Sequence, residues 1–175
     1  QKVDFSSLKY FLYGAAPMSV EKLQQAIDTF GPVMMGGYGQ TEAPTSISFL
    51  TPGEHFVSGQ VAPDERLSSV GRPNALVRVE IMNDANEILP PGETGEICVR
   101  GDLLMKGYYK APEKTAETIV DGWLHTGDIG HLDAVGYLHI TDRKKDMIIS
   151  GGFNVYPSEV EQVIWAHPAV QDCAV

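Results

Sequence analysis

Three short stretches carry side chains able to handle a phosphate-bearing ligand. In GGYGQTEAP, residues 36–44, a glycine-rich run leads into Thr41 and Glu42. Glycines let backbone N–H groups come close to a phosphate or a flat ring. Thr41 can bond a phosphate oxygen, and Glu42 can ligate Mg2+, a hard cation that prefers oxygen. In HTGD, residues 125–128, the segment reads as a strand end, and Asp128 is placed to accept from both hydroxyls of a ribose. In DRKKD, residues 142–146, Arg143, Lys144 and Lys145 stand between two aspartates, just ahead of an apolar run and the pair Gly151–Gly152. Each stretch taken singly has a plainer reading: a surface turn for the first two and a solvated charge run for the third.

The whole chain limits what these groups can serve. It has 175 residues, enough for a sizeable core, with 23 acidic against 13 basic side chains and a net charge of −10. That balance argues against nucleic acid, whose binding needs a basic face to release counterions. Cys98 and Cys173 sit in strand-like apolar runs and read as buried free thiols. Without matching histidines they do not suggest zinc. No apolar run approaches the length of a membrane span. The chain opens in a strand-like segment and closes inside another, so it reads as a piece of a longer chain.

Periodicity supplies the elements that must hold the reactive groups. Residues 9–13 suit a buried strand and the loop GAAPM follows. Ser19 can cap a helix whose Leu23, Ala26, Ile27 and Phe30 form one stripe, ended by Gly31–Pro32. A strand from Val33 to Met35 completes a parallel βαβ unit. Residues 53–70 read as loop. Beyond them, VRVEIM, EICVRG, DGWLHTGD and DAVGYLHIT are short strands between turn signals, as in a small antiparallel sheet or barrel, interrupted by a helix at 112–118. MIIS and FNV make a hairpin across Gly151–Gly152, Pro157 opens a helix stopped at His167–Pro168, and AVQDCAV reads as a strand.

Taken together and in order, GAAPMS, YGQTE, GETGEICVRG with LMKGYYKAPEKT, GWLHTGDIGHLDAVGYLHITDRKKDMIISGG and NVYPSEVE resemble the adenylate-forming superfamily, with wording nearest the fatty-acyl-CoA ligases. The resemblance runs from about Leu8 to the last residue. It implies a mixed α+β chain: the end of an α/β AMP-binding subdomain at 1–52, a barrel-like β subdomain at 53–141, a hinge at 142–145 and the start of a small α+β lid at 146–175. It implies activation of a carboxylic acid by ATP with Mg2+, to give acyl-AMP, and transfer to coenzyme A. Gly14, Ala15, Ala16, Gly36, Gly37, Tyr38, Gly39 and Gln40 would line the adenylate pocket, with Tyr38 against the purine. Thr41 would meet the α-phosphate, Glu42 the magnesium, Asp128 the ribose and Arg143 the same nucleotide. Lys145 would be the hinge, and Gly151 and Gly152 would lie in a loop on the coenzyme A side.

The resemblance also places a phosphate-gripping loop upstream of Gly14 and a lysine downstream of Val175, so this piece is expected to be inactive alone. It further implies a cytoplasmic setting, with peripheral membrane contact as one route to the acid. A domain that loads a carrier protein, or a non-catalytic β-rich interaction module, remain alternative readings.

Overall fold

A computed structural model describes residues 3–151, 153–165, 167 and 169–175, with the backbone alone at 45, 46 and 165. Strand β1 (Phe11–Gly14) leads by helix α1 (Val20–Phe30) to β2 (Met34–Gln40), and β1 pairs β2 in parallel. The helix starts where the sequence places its cap: the Lys22 N–H donates to Ser19 Oγ at 3.3 Å. It ends at Gly31, whose φ of 82° suits glycine. Leu23 and Ile27 are buried on its inner stripe with Met34, Ala62 and Leu67.

The glycine run is not a loop. Strand β2 continues through Gly36, Gly37 and Gly39, and only Thr41–Glu42 turn before β3 (Ala43–Leu50) returns antiparallel to it. Neighbours crowd the pleat here: a Cβ on Gly36 would lie 2.8 Å from the Tyr13 hydroxyl. Glycine inside a strand marks such a close approach. Residues read as loop after Pro52 hold a 3-10 turn (Pro52–His55), the hairpin β4 (Phe56–Val57) and β5 (Gln60–Val61), the helical turn α2 (Asp64–Leu67) and β6 (Arg72–Pro73). The first sheet runs β1-β2-β3-β6.

The second sheet is antiparallel, as its alternating pattern implies. It comprises β7 (Val77–Met82), β8 (Gly95–Gly101), then α3 (Pro112–Thr118), β9 (Ile119–Val120), β10 (Trp123–Leu132) and β11 (Leu138–Arg143), in the order β11-β10-β8-β7 with β9 on β10. Asp128 therefore stands within a long strand, not at its end. A 3-10 turn (Lys144–Asp146), the hairpin of β12 (Ile148–Ser150) and β13 (Phe153–Val155), and α4 (Pro157–Trp165) follow. Gly152 and Pro168 lie outside the described residues.

One core joins the two sheets. Tyr38, Ala43 and Ile47 pack with Val79, Ile81, Ile97, Val99, Leu124 and Leu138. Backbone bonds stitch the same seam: Val70 N–H to Leu138 O at 2.9 Å, and Leu138 N–H to Gly71 O at 2.8 Å.

Two further expectations fail. Residues 169–175 are not a strand, because no neighbouring strand among the described residues supplies a ladder; Val175 N–H bonds Glu161 Oε1 instead, at 3.0 Å. Cys98 is buried, but Cys173 is only half-buried. Apolar side chains stay open at β1 (Leu12, 64% exposed), at the hairpin (Phe153, 76%) and on α4 (Val163, 76%). Among the described residues no helix is long and apolar enough to cross a membrane.

Candidate functional site

The site forms where β2 of the first sheet meets β10 of the second. Opposite β8, the β10 ladder slips between His125 and Ile129. The slip needs Gly127, whose φ is 73°. Three bonds fix the bulge: Thr126 Oγ1 donates to Ile97 O at 2.7 Å, Asp128 N–H donates to Thr126 Oγ1 at 3.1 Å, and Gly127 N–H donates to Glu96 Oε1 at 3.0 Å. Bulges commonly re-aim a side chain. Here the Asp128 carboxylate faces Tyr38, whose hydroxyl donates to Oδ2 at 2.6 Å. Asp128 and Arg143 are cross-strand partners, with Arg143 Nε 3.9 Å from Oδ1. Gln40 Nε2 donates to Thr126 O at 3.3 Å, a second link between the sheets.

The electrostatics follow the burial. The Tyr38 phenol is held far above its ordinary range by burial first and by the Asp128 charge second. Burial also raises the Asp128 carboxyl, while the Tyr38 hydrogen bond and the Arg143 charge oppose it. Arg143 remains two-thirds exposed and free to meet a further anion.

Directly after Gln40, the last residue of β2, Thr41 is exposed on the hairpin tip. Glu42 is half-buried and tied to the segment before α3. Tyr108 Oη donates to its Oε1 at 2.6 Å, and the Met105 N–H donates to its carbonyl at 2.8 Å. The second carboxylate oxygen has no partner among the described residues. One free carboxylate oxygen suits Mg2+, which keeps waters and phosphate oxygens around it.

Gly14, Ala15 and Ala16 lie exposed at the end of β1. Gly14 pairs with Gly37 so tightly that a Cβ would fall 2.3 Å from Gly37 O. Ala15 has φ 63°, uncommon for a residue with a Cβ.

The fold thus gathers Tyr38, Gln40, Asp128 and Arg143 at one place, and sets Thr41 and Glu42 in the turn directly after Gln40. Lys145 lies in the exposed 3-10 turn that follows Arg143, and Gly151 is exposed in the β12–β13 turn at φ 60°. Sequence reading missed Tyr108, Thr126 and Glu96, whose roles depend on register that no spacing reveals. Glu96 and Cys98 do share one strand face by their two-residue spacing, and His125 pairs with Cys98 across the ladder. Their ligand atoms lie within 4.8 Å of one another. The Lys144 ammonium already meets that carboxylate, 3.2 Å from Glu96 Oε2. Burial and the nearby Glu96 charge push the Cys98 thiol up to about 12.

Residues 1–109 match the family described as AMP-binding enzyme. The chain belongs to that family. It is 46% identical to a medium/long-chain-fatty-acid–CoA ligase of Mycobacterium tuberculosis, over 98% of its own length and 29% of the relative's. Among solved structures it is similar to an amide bond synthetase of Marinactinospora thermotolerans, at TM-score 0.89 and 44% identity, covering 98% of this chain and 34% of that one. It is also similar to the O-succinylbenzoate coenzyme A synthetase of Bacillus subtilis solved with ATP and a magnesium ion, at TM-score 0.83 and 36% identity, covering 97% of this chain and 34% of that one. The chain spans about a third of the length of the proteins it matches.

Proposed function

We propose that this chain forms the adenylate-holding part of an ATP-dependent acid–coenzyme A ligase acting in the cytoplasm, with a fatty acid as the substrate. The observation that carries the reading is the convergence of Tyr38, Asp128 and Arg143 from three strands, at 2.6 and 3.9 Å, in a member of the AMP-binding family. The similarity to a fatty-acid ligase supports the choice of acid.

In this reading an acid carboxylate oxygen attacks the α-phosphorus of ATP and the bond to pyrophosphate breaks. A thiol then attacks the acyl carbonyl and AMP leaves. Glu42 would hold magnesium, which when bound would supply charge neutralisation for the departing pyrophosphate. Asp128 accepts from the ribose hydroxyls, and Arg143 reaches the same nucleotide. Tyr38 fixes the carboxylate and offers its ring to the purine. Thr41 donates toward the α-phosphate. Residues 142–145 act as the hinge between the barrel at 53–141 and the lid at 146–175, pivoting at Lys145. The exposed turn at Gly151 faces the thiol substrate.

The test is made on the full-length enzyme. Fatty acid should drive exchange of pyrophosphate into ATP, and Asp128→Ala should abolish it together with saturable AMP binding. An enzyme whose AMP response never saturates would falsify the reading.

A further inference from the structure

Lys144 precedes the pivot residue, yet its side chain turns back onto the second sheet. Its ammonium lies 2.8 Å from Asp84 Oδ1, in the turn after β7, and 3.2 Å from Glu96 Oε2 in β8. The two partners differ. The Asp84 side chain is 91% exposed and adds little by itself, whereas that of Glu96 is 10% exposed. A carboxylate taken so far out of water needs cationic or N–H partners. Glu96 uses both oxygens. Oε2 takes the Lys144 ammonium and lies 3.1 Å from His125 Nδ1, while Oε1 accepts the Gly127 N–H at 3.0 Å. Gly127 is the residue whose left-handed conformation aims Asp128. Continuous hydrogen bonding therefore runs from the 3-10 turn at 144–146, through Glu96, to the bulge that presents Asp128.

We infer that Lys144 is a positioning residue, a latch that pins the hinge segment to the barrel and couples its mobility to the Asp128 bulge. The raised Lys144 and lowered Asp84 ionisations fit the same contact. The inference rests on the hinge reading above, because a latch matters only if the segment moves. Lys144→Met removes the charge and keeps the stem. Lys144→Arg keeps the charge.

Hydrogen exchange on the full-length enzyme reads the latch without reference to activity. Backbone amides of 143–150 should exchange about tenfold faster in Lys144→Met, consistent with losing a charge-assisted bond to a buried acid, and at the native rate in Lys144→Arg. The ratio of thioester formation to pyrophosphate exchange should shift severalfold in Lys144→Met only. If Lys144→Met does not fold, Asp84→Asn removes the exposed half of the latch, and a smaller acceleration over the same amides is expected. Unchanged exchange in Lys144→Met, or in Asp84→Asn where Lys144→Met does not fold, overturns the latch, as does equal acceleration in Lys144→Arg. A wild-type enzyme without pyrophosphate exchange overturns the ligase reading instead, and amide exchange still judges the latch.

Discussion

Tyr38 of the first sheet donates its phenol proton to Asp128 of the second across 2.6 Å, so one hydrogen bond joins the two layers at the candidate ribose acid. The bond occupies Oδ2 and leaves Oδ1 turned toward Arg143. An acid held between a buried phenol and an exposed guanidinium is oriented before any ligand arrives. Orienting it in advance lowers the entropic cost of binding.

Asp128→Asn separates binding from stability. Burial raises the Asp128 carboxyl above its ordinary value, so above the unfolded pKa its ionisation costs folding free energy. The cost is full above the raised folded pKa and disappears as pH falls below the unfolded one. The neutral isostere removes it. Thermal melts at pH 7 should therefore find Asp128→Asn no less stable than the native protein, with any advantage fading toward pH 4. Calorimetric titration should find AMP bound about 10- to 100-fold more weakly, from losing charge-assisted bonds to the ribose. A variant that melts early at pH 7 and binds AMP normally would mark Asp128 as purely structural.

Tyr108→Phe tests how Glu42 is held. The phenol fixes one carboxylate oxygen, at 2.6 Å, and leaves the other free. Partners that orient a metal ligand typically matter for affinity more than for the chemistry once metal is bound. The variant enzyme should need severalfold more Mg2+ for half-maximal pyrophosphate exchange and reach nearly the native rate at saturation. Mn2+ binding followed by electron paramagnetic resonance should weaken in parallel. An unchanged metal requirement removes Tyr108 from that role.

Much of this fold is legible in residue order because its signals are local. Ser19 and Gly31 bracket α1, Pro112 opens α3, and the alternation of Val77, Val79 and Ile81 gives β7 its bounds. The glycines of 36–39 mislead because a glycine is locally a loop former, and only the crossing Tyr13 side chain, 2.8 Å from where a Cβ would sit, explains the place of Gly36 in a strand. Residues 169–175 mislead for the opposite reason, since extended apolar character becomes a strand only beside a partner. The site residues Tyr38, Asp128 and Arg143 carry family wording. What brings them together, the β10 bulge and the shared core, lies in register between segments 90 positions apart and leaves no trace in spacing.

Gly71→Ala probes the seam between the sheets. Gly71 has φ 83°, and a Cβ there would sit 1.9 Å from Phe49 O, a backbone atom with little room to yield. Its carbonyl also accepts the Leu138 N–H. Overpacking and left-handed strain act together, so the substitution should cost about 3 kcal/mol or more in chemical denaturation. AMP affinity should fall with it, because the displaced seam carries Tyr38 away from Asp128. Gly136→Ala, at φ 87° but with open space around it, isolates the conformational part and should cost only about 1 kcal/mol.

Lys145→Pro addresses the pivot. Lys145 lies in the middle of the short 3-10 turn Lys144–Asp146, with its side chain in water. The φ of proline fits such a turn, so the orientation seen here is tolerated, with some strain passed to Lys144. A segment that must rotate between two half-reactions needs dihedral freedom that proline removes. In the full-length enzyme, pyrophosphate exchange should stay within about threefold of native while thioester formation falls by about 100-fold, because in the proposed reading only the second step requires the lid to turn. Rapid-quench kinetics should then show acyl-AMP accumulating on the variant. Equal loss of both steps means that residue 145 supports the fold of the segment and is not its axis.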